Sequence, residues 1–138
     1  MLTELHIENL GVIERAVLVL DAGMTALTGE TGAGKTMLVE AIDLLVGGRA
    51  DASVVRTGAS EARVDGRLII ATPDGPDEVV LSRVIPADGR SRAYVNGRPV
   101  ATAELSAEAS GTLGLYVDQR GMEVLFTNLR VSALPPLR

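Results

Sequence analysis

Eight consecutive residues constrain this chain more than any others: Gly29-Glu30-Thr31-Gly32-Ala33-Gly34-Lys35-Thr36. They fit G-x-x-x-x-G-K-[ST], a loop that cradles phosphate. Glycines let the backbone wind tightly enough to aim successive N–H groups at one anion. A helix starting at the loop's end adds its unsatisfied amides and the positive end of its dipole. Lys35 has the reach to place a compact charge on the β- and γ-phosphates, and the Thr36 hydroxyl suits the coordination shell of Mg²⁺. Gly29, Glu30, Thr31, Gly32, Ala33, Gly34, Lys35 and Thr36 are therefore the candidate nucleotide contacts. Lys35 is the candidate catalytic cation and Thr36 the candidate metal ligand.

The flanks suit the motif. Met24-Thr25-Ala26-Leu27-Thr28 reads as a short strand, and Met37 to Val46 as a helix stopped by Gly47-Gly48. Lys35 is also the sole lysine, beside 12 arginines. Elsewhere the chain uses the guanidinium, a preference that suits a GC-rich coding genome. Only in the loop, where a slim ammonium must thread the backbone, does lysine stand.

Apolar residues make up 46 % of the chain but aromatics only 2 %, so a core must be built from Val, Leu, Ile and Ala. The absence of cysteine excludes a disulfide framework and thiolate metal sites. A net charge of −5 excludes the global basic field of a typical nucleic-acid binder, so any such contact must be local. The first ten residues do not read as a signal peptide, and no apolar run approaches a membrane span. A soluble cytoplasmic protein with no membrane partner is expected.

Two strands precede the loop strand. Residues 2–9 alternate at Leu5 and Ile7, which leaves His6 on the solvated face, and Ala16 to Leu20 forms the second. Downstream of the helix, Arg49 to Ser60 reads as a surface loop carrying Arg49 and Arg56. Strands are expected over residues 62–70, 78–85 and 91–95, with turns at Thr72–Asp77, Ala87–Arg90 and Asn96-Gly97 and a short edge piece at Arg98–Val100. This is an antiparallel meander, and residues 102–109 suit a short helix capped by Thr102. Arg83, Arg90, Arg92 and Arg98 concentrate charge on the meander, either as a solvated sheet face or as a local phosphate-backbone contact.

Leu5 to Ile13, Leu27 to Thr36 and Leu44 to Ala50 together resemble the amino-terminal part of the RecN family, bacterial SMC-like ATPases of DNA double-strand-break repair. Arg83, Asp88-Gly89-Arg90-Ser91-Arg92, Asn96-Gly97-Arg98 and Val100 resemble the same head's meander, so the likeness covers roughly residues 1–110. It implies an α/β P-loop NTPase fold, the amino-terminal half of an ABC/SMC-like ATPase head. It also implies ATP and Mg²⁺ as cofactors, with the phosphate and Mg²⁺ contacts on Gly29, Gly32, Gly34, Lys35 and Thr36. Implied partners are DNA, a second head in a homodimer and the carboxy-terminal half of the head. The implied location is the cytoplasm, at the nucleoid. Arg49 or Arg56 would be a second-sphere or DNA-facing arginine.

Two rival readings come from the residues. In a self-contained NTPase or kinase, Leu113-Gly114-Leu115-Tyr116-Val117-Asp118 would be the Walker B strand ending in Asp118, with Gln119 where the catalytic Glu should stand. Alternatively the chain binds nucleotide without catalysis, since phosphoryl transfer needs placed water and charge neutralisation beyond a phosphate cradle.

In the family, the signature motif and the Asp-Glu pair lie in the carboxy-terminal half, and this sequence ends at Arg138. The family's Gln loop, of the type Val-Asp-x-His-Gly-Gln, is met by Val117-Asp118-Gln119-Arg120-Gly121-Met122, with Met122 in the place of the Gln. The expected division is residues 1–117 as head and 118–138 as a divergent tail, truncated or frameshifted. Genome reads across codons 110–138 are expected to contain an alternative frame that restores the Gln loop; reads with no such frame contradict the frameshift.

Overall fold

The computed structural model describes residues 1–21, 23–28, 33–109, 113–117 and 123–128. The first alternation becomes β1 (Leu2–Leu10), with Leu2, Leu5, Ile7 and Leu10 buried. It folds back on β2 (Ile13–Val19), pairing Leu5 with Leu18 and Leu10 with Ile13. The second strand thus starts three residues before the expected Ala16, because the reversal takes only Gly11 and Val12. β3 (Gly23–Thr28) precedes α1 (Ala33–Leu45), as the loop motif requires. Then follow β4 (Glu61–Thr72), β5 (Gly75–Pro86), β6 (Arg92–Val95), β7 (Arg98–Val100), α2 (Thr102–Ala109), β8 (Leu113–Val117) and β9 (Glu123–Asn128).

The strands form two sheets. One has the order β2-β1-β4-β5-β6-β7, so the leading hairpin joins the meander rather than the loop strand. The other has the order β3-β9-β8. Both β3 and β8 run antiparallel to β9, and so parallel to each other.

Turn chemistry sets the meander's register. Asn96 and Gly97 adopt φ 49° and 77°, the two left-handed positions of a type I′ hairpin turn. The β4–β5 turn is tighter than the six-residue stretch expected: Thr72 pairs with Gly75, leaving Pro73 and Asp74 at the tip, and Pro76 and Asp77 already belong to β5. The cap of α2 also shifts by one. Thr102 is the first helical residue, and the Ala101 carbonyl accepts from the Glu104 N–H at 2.9 Å.

α1 packs on β1, β4 and β5 through Ala41, Ile42, Leu44 and Leu45, a stripe at three- and four-residue spacing. Beneath it, the first eight residues of β4 alternate, with Ala62, Val64, Gly66 and Leu68 buried. Gly66 lies under Leu45, where a Cβ would run into the leucine side chain. The missing side chain lets the helix approach the sheet closely. On the opposite face, Arg67 meets Glu78 at 3.1 Å and Glu4 at 3.7 Å, and Arg63 meets Asp65 at 2.8 Å. These are half-exposed pairs worth little individually. The contact with Asp65 raises the Arg63 pKa above its ordinary value. His6 is half-exposed and paired with Glu4, as a solvated strand residue should be, and that hydrogen bond holds the Glu4 carboxyl below the usual range.

The far end of α1 is closed by a Schellman motif. Gly47, at φ 99°, donates to the Leu44 carbonyl at 3.3 Å, and Gly48 donates to Asp43 at 2.8 Å. Ser106 of α2 donates its hydroxyl to the Val46 carbonyl at 2.5 Å. Buried Arg83 of β5 donates Nη1 to the carbonyls of Leu44, at 3.0 Å, and Gly48, at 2.8 Å. The last turn of α1 contains no basic residue, so β5 supplies the cation that the negative end of its dipole favours.

Gly47→Ala tests this closure. An L side chain is strained at that φ, and its Cβ would stand 2.7 Å from Ser106 Oγ and 3.0 Å from the Thr102 carbonyl. Urea denaturation is expected to show a loss of at least about 1–2 kcal/mol; unchanged stability contradicts the tight αL closure.

Candidate nucleotide site

The motif falls where strand passes to helix. β3 ends at Thr28 and α1 begins at Ala33. Gly29, Glu30, Thr31 and Gly32 lie outside the described residues. Ala33, Gly34, Lys35 and Thr36 form the first turn of α1, so their amides belong to the group that a helix cannot satisfy internally. The first turn has no acidic residue to compete for those donors or oppose an anion. Thr36 is exposed. First-turn amides that the helix leaves unsatisfied, a first turn without an acidic side chain and an exposed hydroxyl fit a polyphosphate with its divalent cation.

The turn between β1 and β2 lies against the same half of α1. Gly11 adopts φ 54°, and a Cβ there would run into the Met37 side chain one residue beyond the motif. The loop after α1 is sewn to this turn. Gly11 donates its N–H to the Val54 carbonyl at 2.7 Å, and Leu10 bridges Val55. Arg56 donates its backbone N–H to Asn9 at 2.8 Å and its Nη1 to the Val12 carbonyl at 2.9 Å. The 3₁₀ turn Ala52–Val54 within this loop is capped by Asp51, whose carboxylate accepts from the Ser53 N–H at 2.8 Å and is held below its ordinary pKa by that bond. Of the two loop arginines, Arg56 is engaged in fastening the loop and Arg49 is exposed.

The four meander arginines do not share one face. Arg92 and Arg98 are exposed and approach Glu61 at 3.9 Å and Glu104 at 3.6 Å, and Arg90 is exposed at the β5–β6 hairpin. Arg83 is only 2 % exposed and points at α1, so for it both the solvated-face and the phosphate-contact readings are wrong. Burial lowers its pKa from the ordinary arginine value, with nearby Asp43 opposing the shift. The signal was present in the alternation: Arg83 falls between Leu81 and Ile85 on the core-facing side of β5. Among the described residues, no cluster of His, Cys, Asp or Glu could hold a metal ion. β8 ends at Val117, and Asp118, Gln119 and Met122, on which the Walker B and Gln-loop readings depend, lie outside the described residues. No helix among the described residues is long and apolar enough to cross a membrane.

Known proteins share this arrangement. A family model described as AAA domain matches residues 4–97, more than half of the chain. The DNA repair protein RecN of Streptomyces coelicolor is 42 % identical over 133 residues, covering 86 % of this chain and 23 % of the relative. RecN of Vibrio cholerae is 39 % identical over 146 residues, covering 97 % of this chain and 26 % of the relative. The chain thus spans about a quarter of the length of these relatives. A solved structure from work on ATP-driven dimerization and DNA-stimulated activation of SMC ATPases superposes with a TM-score of 0.69 at 24 % identity, covering 79 % of this chain and 77 % of that one. At that identity the likeness shows fold alone, an α/β P-loop NTPase of the SMC-head type. The chain belongs to the AAA-domain family, and its sequence is similar to the amino-terminal part of RecN.

Proposed function

We propose that this chain is the ATP-binding part of an SMC-like ATPase acting in DNA double-strand-break repair and recombination. The observation that carries the reading is the phosphate-loop motif at the junction of β3 and α1, within a chain similar to RecN. Gly29 to Gly34 would wrap the phosphates, and the amides of the first turn of α1 would add the positive end of the helix dipole. Lys35 would neutralise charge on the β- and γ-phosphates, and Thr36 would complete the shell of Mg²⁺, which supplies charge neutralisation when bound. Residues 1–117 would form the amino-terminal half of the head, with 118–138 as its divergent tail. The carboxy-terminal half, a second head and DNA would be its partners, and the cytoplasm, at the nucleoid, its location.

The same geometry serves a chain that binds nucleotide without hydrolysing it. Turnover by the purified chain, abolished in Lys35→Ala, would favour a self-contained enzyme; binding without turnover would favour a part that needs the other half of the head.

Calorimetric titration with Mg·ATP tests the reading. The wild-type chain is expected to bind. Lys35→Ala should bind at least about tenfold more weakly, the scale of one charge-assisted contact. Equal affinity in the two proteins removes the basis of the proposal.

A further inference from the structure

We propose that Arg83 is a positioning residue for the nucleotide site, linking the β5–β6 hairpin to the phosphate-loop helix. The inference rests on the nucleotide-binding reading above. Nη1 of Arg83 donates to Leu44 and Gly48 at the end of α1, while Nη2 donates to the Ser91 hydroxyl at 3.0 Å. The guanidinium is planar and rigid, so holding one nitrogen at Ser91 fixes the other against the helix end. Ser91 closes the hairpin that begins at Ala87, whose tip residues Ala87 to Arg90 are exposed. The hairpin, the guanidinium and α1 therefore form one continuous hydrogen-bonded connection.

Capping of α1 accounts for Nη1 but not for the bond from Nη2 to Ser91. The Schellman bonds from Gly47 and Gly48 already satisfy Leu44 and Asp43 without it. Placing a guanidinium in the core is costly, and its Nε has no hydrogen-bond partner among the described residues. An apolar residue plus the Schellman closure would lack the bonds to Ser91 and to the Gly48 carbonyl, and of these only the first reaches the β5–β6 hairpin. α1 is a stiff rod about 20 Å long, so a shift at its carboxyl end moves the amides of its first turn by a similar amount. Those amides must meet phosphate oxygens within the narrow range of a hydrogen bond. The Arg83–Ser91 link thus sets where they stand.

The test uses the full 138-residue chain with Ser91→Ala, Arg83→Lys and, as a charge control on the same hairpin, Arg92→Ala. Amide hydrogen exchange at Met37–Glu40 is read without nucleotide, and Mg·ATP affinity by calorimetry. Ser91→Ala and Arg83→Lys are expected to melt cooperatively, exchange faster at Met37–Glu40 and bind Mg·ATP about three- to tenfold more weakly. Arg92→Ala is expected to match wild type in both readouts. Wild-type exchange and affinity in Ser91→Ala and Arg83→Lys, even with a lowered melting temperature, overturn the link and leave Arg83 a structural cap. A wild-type chain that binds no Mg·ATP overturns the nucleotide reading on which the proposal rests, and unchanged exchange separately overturns the link itself.

Discussion

The carbonyl end of α1 is the point on which the rest of the structure depends. A helix that offers its free amides to an anion at one end must be held at the other, where its unpaired carbonyls need donors. Here the donors come from different parts of the chain. Gly47 and Gly48 close the helix locally, Arg83 reaches in from β5, and Ser106 comes from α2. The same few ångströms therefore join helix, meander and second helix. The close seat of Leu45 over Gly66 fixes the height of α1 above the sheet, and the closed end fixes its position along its own axis.

From this anchoring follows what the other end can do. The leading hairpin lies against Met37, and the loop after α1 is bonded back to that hairpin at Asn9, Gly11 and Val12. The first half of α1 is thus supported by segments distant in sequence, although the residues of the loop motif are contiguous. A P-loop needs little more than backbone to recognise its ligand.

Much of this was legible in the residues. The loop motif, the strand before it and the glycine stop after the helix are local signals, and β3 and Gly47 occur where those signals place them, whereas α1 starts at Ala33, inside the motif and four residues before the expected Met37. Asn96-Gly97 marked its hairpin for the same reason, since few residue pairs accept two left-handed positions in succession. Less legible was what depends on pairing across distance. Reading Thr72–Asp77 by composition alone makes the turn too long, because Gly75 to Asp77 are drawn into β5 by their partners on β4. Arg83 reads as a surface charge by residue type, whereas its place between Leu81 and Ile85 assigns it to the core. Alternation is the stronger guide there, because one residue of slip would reverse every side chain of the strand. That the leading hairpin would join the meander through β1 and β4 had no local signature.

We propose that phosphate binds at residues 29–36, held through α1. Backbone amide chemical shifts of the isotope-labelled chain, followed on addition of Mg·ATP, test it most directly. The largest changes are expected on the amides of Gly32 to Thr36, at the loop's end and the start of the helix. Saturable changes centred elsewhere, with those amides unmoved, would contradict it.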